Sequence, residues 1–147
     1  MGKGPLNYTT VIDPHKTAAE CIAILAQHHA GRISMDLEDG QPVGLPFSIE
    51  TPNGTRFYML PANTKGAYKG LQRAYDQGRI APRYVDAEQA ARVAWRVIKD
   101  WLEAQLALID MAMVDIEQVM LPYLIVDEIG TTLYQRYLDS GRKAITS

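Results

Sequence analysis

The sequence predicts an α+β fold: an N-terminal helix, a three-stranded antiparallel meander, a short helix, a long amphipathic helix and a short C-terminal strand or helix. Three observations predict it. Apolar residues recur at helical spacing over 17–30, alternate with polar residues over 33–60, and recur again at threes and fours over 87–112. The alternating stretch indicates a sheet with one wet face, whose other face packs on the helices.

The first helix is predicted over 17–30. Thr17 and Glu20 have the spacing of a capping box, with Thr17 as the N-cap. Gly31 suits the left-handed position just after a helix. The apolar stripe of this helix consists of Ala18, Cys21, Ile22, Leu25 and Ala26.

The first hairpin is predicted from a strand at 33–38 and the turn signal Asp39-Gly40. A second strand follows at about 43–49. Because Pro42 and Pro46 cannot donate hydrogen bonds to a ladder, we expect a free edge or a bulge there.

A second turn, Pro-Asn-Gly at 52–54, leads to a third strand at 55–60. A short helix is predicted over 65–76, although its two glycines each weaken it by about 1 kcal/mol relative to Ala. A loop then follows to residue 85.

A long amphipathic helix is predicted over 87–112. Asp86 and Gln89 form a second candidate capping box, and the apolar pattern runs from 87 to 112. Its apolar arc is wide, which indicates burial on two sides or a partner subunit. We expect a homo-oligomer in which the helix contributes the interface residues Ala94, Trp101, Leu108 and Met111.

The C-terminal part is predicted as short elements. Asp115 can cap a continuation that ends before Pro122. Residues 124–126 favour a short strand, and 131–139 favour a last helical turn or two.

The composition is that of an ordinary globular protein. The 147 residues are 47% hydrophobic and 22% charged, and we expect a single α+β domain over 1–147 with frayed ends at about 1–6 and 141–147. A net charge of −2 argues against a strongly basic nucleic-acid binder. One cysteine, no secretory signal and no membrane-spanning run predict a cytoplasmic protein without a membrane partner.

No catalytic motif is found in the sequence. Nucleophile signatures, phosphate-binding glycine loops and zinc spacings are all missing, so we expect no enzyme, no cofactor and no metal. The adjacent His28 and His29 diverge by about 100° on a helix and are interpreted as boundary residues. Cys21 lies on an apolar stripe and is interpreted as a buried structural thiol.

The basic residues are concentrated before and within the start of the long helix. Two arginines one turn apart, with nearby tyrosines, suit phosphate and purine recognition, and a helix N-terminus also favours an anion. The alternative is a solvated basic face beside an acidic one. The predicted ligand-binding residues are Arg56, Lys65, Tyr68, Lys69, Arg73, Arg92 and Arg96.

Two stretches carry a family resemblance. They read E-Q-A-A-R-V-A-W-R-V-I-K-D-W-L-E-A-Q-L-A-L-I-D-M-A-M-V-D-I-E-Q-V-M-L-P-Y-L and N-Y-T-T-V-I-D-P-H-K-T. From about Asn7 to Tyr137 the chain resembles small phage and prophage proteins, and it looks most like the first Thoeris anti-defence family of immune-nucleotide sponges. The resemblance implies a non-catalytic homo-oligomer in the host bacterial cytoplasm, which holds a cyclic ADP-ribose isomer or cyclic oligonucleotides.

Two other functions remain open at this point. The order helix, three-stranded meander, helix is similar to the double-stranded RNA-binding fold, so a small nucleic-acid-binding protein of a mobile element is the alternative. The net charge disfavours it, because several phosphates must be neutralised. An enzyme with a cryptic site is the third possibility, and no residue pattern favours it.

Overall fold

A computed structural model describes residues 2–143 and confirms the α+β fold. Met1 and residues 144–147 lie outside the described part, and so do the corresponding portions of the ends predicted to fray. In chain order the elements are α1 (Pro14–Gln27), β1 (Asp36–Glu38), β2 (Gln41–Thr51), β3 (Gly54–Pro61), α2 (Thr64–Asp76), α3 (Ala87–Asp110), α4 (Ile116–Met120) and α5 (Leu133–Asp139), with 3₁₀ turns at Pro82–Tyr84 and Leu121–Tyr123.

The helix α1 begins three residues earlier than its sequence pattern predicts. Asp13 is the N-cap, because its carboxylate accepts a 2.7 Å hydrogen bond from the backbone N–H of His15, and Pro14 occupies the first turn. The predicted capping box of Thr17 and Glu20 is therefore wrong, because Thr17 lies buried within the helix and does not cap it. Proline at the first helical position is the signal that should have outweighed the later threonine.

The end of α1 also differs from its prediction. The helix ends at Gln27, and His29, with φ of 70°, takes the left-handed position assigned to Gly31. Gly31 instead exchanges two 2.8 Å backbone hydrogen bonds with Ser48, which brings the chain alongside β2.

The three strands form one antiparallel sheet in the order β1-β2-β3. Asp39 and Gly40 both have positive φ, as a type I′ hairpin turn requires, so the predicted turn is confirmed. A register shift between Asp36 and Leu37 opposite Pro42 is the bulge expected of a proline-bearing strand. The strand β1 is half as long as predicted, because before Asp36 the chain bonds β2 only at isolated points: the Gly31–Ser48 bridge and a 2.9 Å hydrogen bond from the N–H of Ser34 to the carbonyl of Pro46.

The main core lies between the sheet and the helices α1 and α3. Phe47 and Tyr58 stack across the inner face of the sheet at a ring-centroid distance of 5.4 Å. Trp95 of α3 is fully buried, and its indole N–H donates a 3.0 Å hydrogen bond to the carbonyl of Pro42. This bond fixes the start of β2 to the middle of α3.

A smaller core lies between α2 and the start of α3. Leu71 and Ala74 of α2 pack with Ala90 and Val93 of α3. The helix α3 is therefore covered by α1 and the sheet on one side and by α2 on the other. Burial on two sides within the chain explains its wide apolar arc.

The N-terminus of α3 is capped by Asp86, which accepts a 2.7 Å hydrogen bond from the N–H of Gln89. The Gln89 side chain does not complete a capping box. It donates to the carbonyls of Tyr8 and Thr10, at 2.7 and 2.9 Å, and so ties the N-terminal segment to α3. The helix ends at Asp110, two residues before the predicted end.

The C-terminal elements are short, as predicted. Pro122 lies in the 3₁₀ turn that ends α4. The strand predicted at 124–126 is reduced to two isolated bridges, Tyr58 with Leu124 and Ile125 with Thr132. Within residues 2–143, no helix is long and apolar enough to cross a membrane.

Candidate functional site

The helix α2 carries a row of three exposed cations, Lys65, Lys69 and Arg73, named here the basic row. Their spacing of four residues places them along one side of the helix over about 12 Å. Within the described residues none of the three makes an ion pair. These charges are consequently available to an anion from solution.

A cavity of about 430 Å³ lies beside the basic row, between α2 and the start of α3. This α2–α3 cavity lies within the size range of small-molecule sites. Tyr68 presents a ring that is 40% exposed at its wall. The lining residues are Thr64, Lys65, Tyr68, Lys69 and Ala87.

Two helix starts meet at this cavity. Thr64 is the first residue of α2, Ala87 is the first residue of α3, and both line the wall. The first N–H groups of a helix have no acceptor inside it, and the helix dipole makes that end positive. Asn63 already caps one N–H of α2, and the Asp86 carboxylate caps one N–H of α3 and offsets part of the positive charge there. The other first-turn N–H groups and the two lysines favour an anion with several oxygens.

The sequence predicted that the start of α3 is part of the site, but it did not predict that the start of α2 is part of it too. The signal was present: Asn63 is an N-cap whose side chain accepts a 2.8 Å hydrogen bond from the N–H of Gly66. Two N-caps, Asn63 and Asp86, mark two helix starts, but their meeting depends on how α2 folds back onto α3.

Arg92 lies in a neighbouring cavity of about 400 Å³, named here the α1–α3 cavity, which shares Ala87 with the first. One guanidinium nitrogen donates a 2.9 Å hydrogen bond to the Gln89 side chain, and the other lies 3.7 Å from Glu88. The carboxylates of Asp13 and Glu88 also line this cavity. Their negative charge offsets that of Arg92, so this cavity is a weaker anion site than the α2–α3 cavity.

Arg96 turns toward α1 instead of the α2–α3 cavity. Its guanidinium lies 3.6 Å from the carboxylate of Glu20, and Lys99 lies 3.0 Å from the same carboxylate and 2.9 Å from Glu103. The hydrogen bond from Lys99 lowers the pKa of Glu20, and Glu103 and Glu20 together raise the pKa of Lys99. The sequence predicted that Arg92 and Arg96 bind a phosphate side by side. In the structure both already have partners within the chain.

Arg56 lies at the far end of the sheet. Its guanidinium donates to the carbonyls of Thr55 and Asn53, at 3.1 and 3.2 Å, within the β2–β3 turn. Its ladder partner is Ile49, eight residues along β2 from Gln41 of the α1–α3 cavity. At about 3.3 Å per residue that separation is about 26 Å, so Arg56 does not join the other predicted site residues.

The four predicted interface residues lie in different surroundings. Ala94 is buried toward α2, and Leu108 is half-buried. Trp101 is half-buried, with its ring edge-to-face against Tyr123 at 6.1 Å. Met111 follows the last residue of α3 and is 74% exposed. An interface through these residues stays a prediction, and Met111 is the member that a partner reaches most readily.

The remaining reactive side chains lie away from both cavities. Burial raises the pKa of the Cys21 thiol to about 12, which leaves it protonated at neutral pH. His28 bridges the ends of α1 and α3: its ring nitrogens lie 2.8 Å from the carbonyl of Ile24 and 3.1 Å from Asp110. No three His, Cys, Asp or Glu side chains within residues 2–143 form a group that could hold a metal ion.

Comparison of the chain with family models, with curated proteins and with solved structures gave no match.

Proposed function

We propose that this chain binds a small phosphorylated ligand in the α2–α3 cavity and holds it without changing it. The observation that carries the proposal is the meeting of two helix starts, two lysines and an exposed tyrosine around one cavity. Hydrogen bonds to charged groups contribute roughly 1.5 to 3 kcal/mol each. A phosphate that accepts bonds from Lys65, Lys69 and a backbone N–H therefore has enough partners for micromolar binding or better.

The cavity wall also favours binding over chemistry. Two lysines, one tyrosine, one threonine and Ala87 line it, and most of the surface that they present to the cavity is apolar. Lysine and tyrosine act as acids, bases or nucleophiles where neighbouring groups tune or orient them, and no imidazole, carboxylate or thiol is among the residues that line this cavity. Phosphate recognition needs cations and N–H donors alone.

The resemblance to the Thoeris anti-defence sponges supplies the ligand class. We propose that the ligand is a nucleotide immune signal, either a cyclic ADP-ribose isomer or a cyclic oligonucleotide, sequestered in the cytoplasm of a bacterial host. Lys65 and Lys69 bind the phosphates, and Tyr68 stacks on the base. Arg73 extends the basic row by one turn, whereas Arg92 lines the neighbouring α1–α3 cavity and is held by Gln89 and Glu88. Arg56 and Arg96 hold the fold and do not touch the ligand.

The test is calorimetric titration of the wild type and two charge-matched variants with cyclic ADP-ribose isomers and cyclic oligonucleotides. Lys69→Glu and Arg56→Glu change the net charge equally, but only Lys69 lines the cavity. We expect Lys69→Glu to weaken binding at least tenfold and Arg56→Glu to leave it nearly unchanged. Equal losses in both variants would show that overall charge, and not this cavity, governs binding.

A second pair of titrations separates the phosphate from the base. Tyr68→Ala removes the exposed ring and leaves both lysines in place. We expect it to weaken a base-bearing ligand several-fold and to leave inorganic pyrophosphate unaffected, because pyrophosphate has nothing to stack. If no nucleotide binds the wild type below about 10 µM, the sponge proposal fails.

Nucleic-acid binding is the second candidate, favoured by one observation. The basic row is a linear array of three cations, and the chain places α1, three strands and α3 in the order of the double-stranded RNA-binding fold. Three cations release few counterions, so we expect weak binding to duplex RNA or DNA that is lost by ~0.3 M salt. A tight complex that survives this salt concentration would make nucleic acid the preferred ligand.

A further inference from the structure

The segment from 111 to 137 carries six exposed large apolar side chains. Met111 and Met113 lie just after α3, and Met113 is 67% exposed. Leu121, Tyr134 and Tyr137 lie farther along the chain, and Tyr134 is 54% exposed. Exposed apolar patches are typical of protein–protein contacts.

Two of these residues are held by a well-defined loop. Residues 111–115, named here the methionine loop, follow α3, and Ala112 has a φ of 58°. The N–H of Ala112 donates to the carbonyl of Ile109, and that of Met113 donates to the carbonyl of Leu108, both at 2.9 Å. These bonds fix the backbone of the turn, which lowers the backbone entropy lost on binding and leaves the methionine side chains free to adapt.

The tyrosines line a groove between α5 and the preceding 3₁₀ turn, named here the α5 groove. It has a volume of about 400 Å³ and is mainly apolar, with Leu121 and Pro122 on one side. The rings of Tyr134 and Tyr137 are nearly parallel, with centroids 6.4 Å apart. Lys143 lies at its rim. Methionine fits such a site, because its flexible side chain makes favourable sulfur–aromatic contacts.

The charges of the two features are opposite. Residues 110–117 contain three acidic residues and no basic one. Residues 133–143 contain three basic residues and one acidic one. Asp110 faces His28, and Arg136 is already paired with Asp127 at 3.2 Å. The charges left to meet are therefore those of Asp115 on the loop and Lys143 at the groove, which are opposite.

The methionine loop and the α5 groove also lie at the same end of the chain. The five-residue helix α4, about 7.5 Å long, separates the loop from Leu121 of the groove. When both halves of a contact lie side by side, two copies related by a two-fold axis can exchange them reciprocally.

From this we infer that the chain forms a two-fold dimer in which the methionine loop of each copy occupies the α5 groove of the other. Met113 packs against the tyrosines, and Asp115 lies beside Lys143. This contact differs from the interface along α3 that the sequence predicted, because it uses only Met111 of the four predicted interface residues. It does not depend on the proposed ligand.

The first measurement is the weight-average mass by light scattering over a range of concentrations. We expect the wild type to rise from 16.4 kDa toward twice that value. Met113→Glu, in an exposed loop, should remain a monomer over the same range, whereas Trp101→Glu should still dimerise if it folds. A wild type that stays monomeric, or a Met113→Glu variant that dimerises normally, overturns the inference.

A charge exchange tests the pairing independently of folding. Asp115→Lys and Lys143→Glu should each weaken self-association at least tenfold, because each places like charges together in both contacts. Mixed in equal amounts, the two variants should recover a heterodimer, since both contacts then join opposite charges. Failure of the mixture to exceed either variant alone contradicts the reciprocal arrangement.

Discussion

The helices α2 and α3 use the same kind of side chain for different purposes. In α3, Arg96 and Lys99 are half-buried and form ion pairs with Glu20 of α1. In α2, Lys65 and Lys69 are exposed and face a cavity. Cations that join two helices serve the fold, whereas cations with solvent around them are available to a ligand.

The two helices also differ in intrinsic stability. The 13 residues of α2 include two glycines, Gly66 and Gly70, whereas the 24 residues of α3 include none. Glycine costs about 1 kcal/mol in a helix interior relative to Ala. The helix α3 is packed on two sides and α2 on one. Of these two helices, α2 is therefore the one that a bound ligand can stabilise more against local unfolding.

The largest effect is expected at the centre of α3. Trp95→Ala removes a fully buried indole and leaves the Pro42 carbonyl without its donor, so it should lower the free energy of unfolding by about 3 to 5 kcal/mol. Urea unfolding measures the loss. Trp101→Ala is the control, because removing this half-buried indole should lower the free energy of unfolding clearly less. Equal losses would mean that the core is not centred on Trp95.

The same substitution in the two helices tests their contrast next. Lys99→Glu places a third carboxylate beside Glu20 and Glu103 and should lower the melting temperature by several degrees. Lys69→Glu should leave it unchanged or slightly higher, because the new carboxylate lies four residues from both Lys65 and Arg73. Binding should show the opposite ranking, with the larger loss in Lys69→Glu. Loss of stability in Lys69→Glu would mean that the basic row is structural.

A smaller effect is expected from the bond that joins the ends of α1 and α3. The hydrogen bond to the carbonyl of Ile24, together with Asp110, raises the pKa of His28 despite burial. Both partners are acceptors, so both bonds form together only with a protonated ring. The contribution of His28 is present below its unfolded pKa near 6.5 and is lost as the pH rises through the higher folded value.

The His28→Gln variant measures this contribution. The stability difference between wild type and variant should be larger at about pH 5.5 than at about pH 8. His29→Gln, at the neighbouring exposed position, is the matched control. A difference that grows with pH would contradict the raised pKa.

The smallest effect concerns the backbone of α2. A Cβ added at Gly70 meets no atom within 4 Å, so Gly70→Ala should stabilise the protein by about 0.5 to 1 kcal/mol. Gly78 is equally open but has a φ of 72°, so Gly78→Ala should destabilise by about 1 to 2 kcal/mol. Thermal unfolding measures both. Destabilisation by Gly70→Ala would show that this glycine serves packing and not flexibility.

Local signals in the sequence predicted the elements well and the site only in part. The Asp39-Gly40 turn and the Asp86 cap depend on neighbouring residues, so their patterns are reliable. The start of α1 was missed because Thr17 offered a second, competing cap. The partner of Arg96 could not be predicted, because Glu20 lies far away in sequence and meets it only when α1 packs on α3. Likewise, Arg56 lies far from the cavities because the hairpin points away from them.

The most direct test of ligand sequestration is mass spectrometry of small molecules released by heating the protein after exposure to bacterial lysate. Wild type should release an intact phosphorylated nucleotide in near-stoichiometric amount, and Arg56→Glu should release as much. Lys69→Glu should release at least tenfold less. Release of a chemically altered nucleotide would indicate an enzyme, and equal release from Lys69→Glu would contradict the α2–α3 cavity as the site.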